Sequence, residues 1–124
     1  MADRKKILVI DDDSDITDVV KVILTANGFD VYTASNGKDG IDAVSKVNPD
    51  LVLCDMMMER VDAGSRVAGE IRKNNKTVQL YLLSSIGEAT AQNIEMDKIG
   101  FNGIFQKPIV PDHIVKTIKK ALGI

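Results

Sequence analysis

Four short apolar runs punctuate the chain: Ile7-Leu8-Val9-Ile10, Leu51-Val52-Leu53-Cys54, Leu80-Tyr81-Leu82-Leu83 and Gly103-Ile104-Phe105. Val31-Tyr32-Thr33-Ala34 is a weaker fifth. None of the first three alternates polar with apolar positions, so each reads as a strand covered on both faces. Helical periods lie between them. Ile16, Val19, Val20, Ile23 and Leu24 form one apolar stripe, with Ser14 as the expected cap and Gly28 where a left-handed residue would end it. Ile41, Val44 and Val47 form a second stripe, closed by Asn48-Pro49. Val67 and Ile71 suggest a third, and Ile94, Met96 and Ile99 a weak fourth within residues 89–99. Ile114, Val115, Ile118, Ala121 and Leu122 make a clear last helix that Pro111 opens.

Strand and helix thus alternate five times. Connections this short require parallel strands joined by right-handed crossovers. The expected architecture is a three-layer, doubly wound (βα)5 α/β sheet forming one domain over 1–124. Sites in such sheets lie just outside the carboxyl ends of the strands. Four strand ends carry polar residues: Asp11-Asp12-Asp13, Asp55, Ser84-Ser85 and Lys107-Pro108.

Composition narrows the reading rather than redirecting it. The chain has 124 residues, 44% of them hydrophobic and 27% charged, which suits a globular domain. A formal charge of -2 gives no basic footprint for nucleic acid. One cysteine excludes an internal disulfide and a cysteine-rich zinc site. No apolar run approaches the roughly 20 residues that span a bilayer. No signal-peptide core follows the N-terminal Arg4-Lys5-Lys6. A cytoplasmic protein with no membrane partner is the resulting expectation.

Taken singly, each polar strand end has an ordinary explanation. Asp11 to Asp15 could be a solvated loop that caps a helix. Asp55 could be a helix cap, Lys107 a surface charge and Ser84 a small strand-end residue. Their agreement at one rim is what favours a site. Converging carboxylates repel one another, and a hard divalent cation relieves this. Oxygen ligands alone favour Mg²⁺, Mn²⁺ or Ca²⁺. Carboxylates, such a cation, a hydroxyl and a lysine are what phosphoryl transfer uses, and a carboxylate can itself be the nucleophile.

Competing motifs fail on the residues. An EF-hand beginning at Asp11 would need Gly at Ile16 and Glu at Val22. A dinucleotide fingerprint or P-loop would need glycines after the first strand. A flavin phosphate would be repelled by the three aspartates. Serine hydrolase chemistry lacks a partner, because the one histidine, His113, falls in the first turn of the last helix and reads as exposed. Cys54 reads as a buried packing residue, and Met56-Met57-Met58 as adaptable packing rather than a soft metal box.

This pattern resembles the receiver domain of bacterial two-component response regulators, the family of the chemotaxis regulator. The likeness covers the whole chain. It rests on Lys6-Ile7-Leu8-Val9-Ile10-Asp11-Asp12-Asp13, on Pro49-Asp50-Leu51-Val52-Leu53-Cys54-Asp55-Met56-Met57-Met58, on Leu82-Leu83-Ser84-Ser85 and on Lys107-Pro108. It implies a flavodoxin-like, five-stranded parallel sheet of order 2-1-3-4-5. It further implies Asp55 as phosphoacceptor, with Ser84 as the switch hydroxyl and Lys107 as its charged partner. Mg²⁺, for which Mn²⁺ can substitute, would sit among Asp11, Asp12, Asp55 and the backbone carbonyl of Met57. Pro108 resembles the proline that in many receivers follows a cis peptide bond. Asp13 extends the acidic run, and the resemblance assigns it no role.

Three departures stand out. Glu59 occupies the place of a usual proline, Asp62-Ala63-Gly64 carries one extra residue, and Ile104 stands where the family has its switch aromatic, with Phe105 beside it. The implied function is a response regulator receiver in a two-component phosphorelay, a switch rather than a turnover enzyme. A sensor histidine kinase or phosphotransfer protein would act upstream and a protein target downstream, without direct nucleic-acid contact. The rival is a Mg²⁺-dependent aspartyl phosphatase. A degenerate receiver acting only as a binding module is a third possibility, although every chemistry position is filled.

Overall fold

The computed structural model describes residues 4–55, 69–73, 77–84, 101–106 and 109–124. Strands β1 (Lys6–Ile10), β2 (Asp30–Ala34), β3 (Leu51–Asp55), β4 (Gln79–Ser84) and β5 (Gly103–Gln106) form one sheet. Its order is β2-β1-β3-β4-β5, and every neighbouring pair is parallel. Helices α1 (Ser14–Ala26), α2 (Gly37–Val47) and α3 (Pro111–Leu122) connect or follow the strands. Residues 69–73 are also helical.

The unbroken apolar runs follow from this layering. Side chains of a strand point alternately to its two faces, and here both faces are covered. Ile7, Val9, Leu51, Leu53, Leu83 and Phe105 pack on one side under Val20 and Leu24 of α1 and Ile114 and Ile118 of α3. Leu8, Ile10, Val52, Cys54, Leu80 and Leu82 pack on the other, against Val44 of α2 and Ile71. Each fully buried Leu or Ile contributes about 1.5–3 kcal/mol of transfer free energy. β3 is buried along its whole length, whereas edge strand β2 buries only Ala34.

Two local expectations change. Asp13, not Ser14, caps α1: its side chain accepts the Asp15 N–H at 2.9 Å, and Ser14 is the first helical residue. Both residue types cap well, so the pattern alone did not choose between them. Val19 is 47% exposed, with Val22 at 69%. The buried stripe runs instead through Thr17, Val20 and Leu24. The remaining signals hold. Gly28 has φ +90° just past α1, Asn48 ends α2 at φ 54°, and Pro111 opens α3. The third helical stripe keeps Ile71 in a helix; Val67 and residues 89–99 lie outside the described residues.

Candidate functional site

The register decides which residues meet at the rim. Ile10 pairs with Cys54 across β1 and β3, so the next residues, Asp11 and Asp55, stand side by side where both strands leave the sheet. Asp11 is 1% exposed and Asp55 4%. Asp12 is exposed beside them. One carboxylate oxygen from each of the three lies within 4.8 Å of those of the other two. Sequence order alone separates Asp11 from Asp55 by most of two βα units; parallel pairing removes that distance.

Local hydrogen bonds fix the acidic turn. The Asp11 N–H donates to the Ala34 carbonyl at 3.0 Å, which ties the end of β1 to the end of β2. Asp11 Oδ1 accepts the Asp13 N–H at 2.9 Å, an Asx-type turn that holds the loop against its own carboxylate. Asp13 is thereby occupied with capping α1, which gives it a structural task.

The end of β2 adds an element that the sequence reading missed. An open cleft of ≈ 270 Å³ lies beside Asp11 and Asp12, lined also by Ser14, Thr17, Thr33 and Asp39. Thr33 belongs to the weakest of the five strand runs, and nothing in its type marks it. The available signal was topological, since β2 lies next to β1 in a doubly wound sheet.

Cys54 sits directly beneath the cluster and is fully buried. Burial pushes its thiol far above the ordinary range, and the charges of Asp55 and Asp11 add to the effect. It remains a neutral packing group, as its place inside β3 suggests. Ile104 is half-buried against the cluster that contains Cys54 and Leu82. Phe105 points to the opposite face, stacked on Tyr81 at 5.3 Å and edge-on to His113 at 5.5 Å. Adjacent strand residues face opposite ways, so Phe105 cannot stand in for an aromatic at position 104. His113 is exposed in the first turn of α3, as the sequence suggested. Ser84 closes β4, but its side chain lies outside the described residues, as do Met57, Lys107, Pro108 and the Glu59 to Gly64 loop.

The site therefore gathers hard oxygen donors and no soft or nitrogen ligand among the described residues. That donor set fits a cation such as Mg²⁺. The model of the response regulator receiver domain family matches residues 7–119. The chain belongs to that family.

The receiver is 34% identical over 119 residues to a protein described as "Probable transcriptional regulator ycf27" of Porphyra purpurea. That match covers 96% of the receiver and 48% of its relative, so the chain spans about half the length of the curated relatives it matches. Among solved structures, a response regulator receiver domain protein from Clostridium thermocellum superposes with a TM-score of 0.87 at 28% identity. It covers 96% of the receiver and 94% of the other chain. The chemotaxis response regulator CheY4 of Vibrio cholerae matches with a TM-score of 0.88 over 97% and 100% of the two chains. At 24% identity this likeness speaks for the fold alone. The family assigns the chain to two-component signalling as a receiver domain. None of its described helices is long and apolar enough to cross a membrane.

Proposed function

We propose that Asp55 is the phosphoacceptor of this receiver, and that residues 1–124 act as one switch unit rather than a turnover enzyme. The observation that carries the reading is the convergence of Asp11, Asp12 and Asp55 at the carboxyl ends of β1 and β3. An Asp55 carboxylate oxygen attacks the phosphorus of a partner's phosphohistidine. The new O–P bond forms as the N–P bond breaks, and the imidazole leaves with the electron pair and takes up a proton. Asp11, Asp12, Asp55 and, by resemblance, the Met57 carbonyl would hold Mg²⁺, or Mn²⁺ in its place. When bound, the cation neutralises charge developing on the phosphoryl oxygens.

The chain's own residues do the rest. β3 holds Asp55 rigidly for in-line attack, since the strand is buried throughout. The Asx turn at Asp11 holds the loop through Oδ1, with the carboxylate beside those of Asp12 and Asp55. By resemblance to the family, Lys107 would serve the transferred group as a positive partner, and Ser84 would supply the hydroxyl that moves toward it afterwards. A sensor histidine kinase or phosphotransfer protein would supply the phosphoryl group, and a protein target would read the outcome. With a net charge of -2 the unit itself carries no nucleic-acid footprint. A cytoplasmic setting fits this chemistry.

Incubation with a small phosphodonor and Mg²⁺, followed by intact-mass spectrometry, tests the assignment. One phosphoryl group should appear, and it should be absent with EDTA or in Asp55→Asn. Phosphate retained in Asp55→Asn sinks the assignment. Sustained turnover of p-nitrophenyl phosphate would favour the phosphatase reading.

A further inference from the structure

Beneath the acidic cluster, one helix approaches the sheet unusually closely. Gly40 is buried on α2. A Cβ added there would stand 2.5 Å from Ile10 Cδ1, 2.9 Å from Ile10 Cγ1 and 3.0 Å from Ile10 Cγ2. Ile10 is fully buried and is the last residue of β1. Its register partners are Ala34 on one side and Cys54 on the other, and all three pack in the same cluster. The residues that follow Ile10 and Cys54 are Asp11 and Asp55.

We propose that Gly40 is a positioning residue for the acidic cluster: its missing side chain lets α2 rest on Ile10 and thereby sets where Asp11 stands. The proposal rests on the metal and phosphoacceptor reading above. Turning Cδ1 aside relieves only the closest of these contacts, because Cγ1 and Cγ2 remain at 2.9 and 3.0 Å. Both branches at Cβ are involved, and a β-branched residue has one strongly preferred first torsion. Rotation about that torsion would exchange one close branch for the other inside a fully buried site.

Only two movements remain, and both reach Asp11. If the end of β1 shifts, Asp11 moves with the peptide that joins it to Ile10. If α2 lifts instead, it carries its cap Asn36 and the preceding Ser35 and Ala34. The Ala34 carbonyl is the acceptor for the Asp11 N–H at 3.0 Å. A helix residue with no polar atom of its own side chain thus controls the geometry of three carboxylates. Loss of groups that orient metal ligands weakens metal binding by roughly 10–100-fold.

Heteronuclear NMR of the whole chain tests this. The Asp11, Asp12 and Asp55 amide signals are followed without metal and then through a Mg²⁺ titration. Gly40→Ala should displace the Asp11 and Asp12 amides before any metal is added, and should raise the Mg²⁺ dissociation constant by about tenfold or more. Gly69→Ala is the matched control, since a Cβ there meets nothing within 4 Å; it should leave both readouts as in the wild type. Adding Ile10→Val to Gly40→Ala removes Cδ1, the atom in closest contact, and should return the affinity part of the way.

A merely structural glycine would lower thermal stability without changing the affinity of the folded protein or responding to Ile10→Val. Wild-type affinity in Gly40→Ala overturns the proposal. If Gly40→Ala does not fold, wild-type amide positions in the double variant overturn it. A wild-type protein that ignores Mg²⁺ would refute the metal reading alone. The metal-free amide positions would still decide the role of Gly40: displaced signals support it and unmoved signals overturn it.

Discussion

Replacing Asp11 by Asn removes one charge from the acidic cluster and almost nothing else. Asn is nearly isosteric and keeps an Oδ1 that can accept the Asp13 N–H. The energy at stake follows from the geometry. Carboxylate oxygens of Asp11 and Asp55 come within 4.8 Å of one another. Two unit charges at that separation repel by roughly 3.5 kcal/mol at an effective dielectric constant of 20. Against this, a hydrogen bond to a charged acceptor becomes an ordinary one, at a cost of about 1–2 kcal/mol. The net gain is thus on the order of 1–2 kcal/mol. For a domain of this size that is a rise of about 4–8 °C in Tm.

The expected result is therefore a metal-free Asp11→Asn protein that melts above the wild type. Mg²⁺ should act in the opposite sense on the difference. At ten times its dissociation constant it stabilises the wild type by about 1.4 kcal/mol, or about 5 °C, because it binds the native state alone. Asp11→Asn should show little of that shift. Differential scanning calorimetry with EDTA and with Mg²⁺ measures both quantities. A lower metal-free Tm in Asp11→Asn, together with an undiminished Mg²⁺ shift, would refute the reasoning.

Two further outcomes concern Asn102 and Cys54. Asn102 Oδ1 accepts from Arg72 Nη2 at 2.9 Å and from the N–H of fully buried Leu80 at 2.8 Å. Asn102→Ala should cost about 1–3 kcal/mol in urea unfolding by leaving that N–H unsatisfied, whereas Asn102→Asp should cost far less. The Cys54 thiol is raised above its ordinary value of 9.0 by burial. The unfolded chain therefore loses this proton first as pH rises, and stability declines above about pH 9 with a slope approaching 1.4 kcal/mol per pH unit. Cys54→Ala should flatten that slope, and iodoacetamide should label native Cys54 at pH 8 only as fast as the chain opens.

The strands and the carboxylates of the site were legible in the sequence because their signals are local and redundant. Ile7 to Ile10 and Leu51 to Cys54 could not be surface strands, and two such strands in a doubly wound fold put Asp11 and Asp55 at one rim. What stayed hidden depends on distances that no pattern encodes. Val19 fits the apolar stripe of α1 as well as Thr17 does not, yet Thr17 is buried, with its hydroxyl bonded to the Ser14 carbonyl. Periodicity gives a helix face only to within a residue. Gly40 resembles any glycine in a helix until Ile10 is placed beneath it. Asn102 carries no mark in the sequence, and its two bonds, from Arg72 and from the Leu80 N–H, exist only in the folded chain. The cleft beside Thr33 likewise needed the actual seating of α2.

The parallel pairing of β1 with β3 has a consequence for how the chain acquires its site. Asp11 and Asp55 belong to strands that meet only after α1, β2 and α2 have been closed into a loop between them. Non-local pairings of this kind form slowly, because the loop-closure entropy precedes the gain from contact. During refolding the two carboxylates therefore remain far apart until β3 docks, and cation affinity appears with that docking rather than with helix formation. A cation present from the start of refolding should leave the early steps at their metal-free rates and slow unfolding instead.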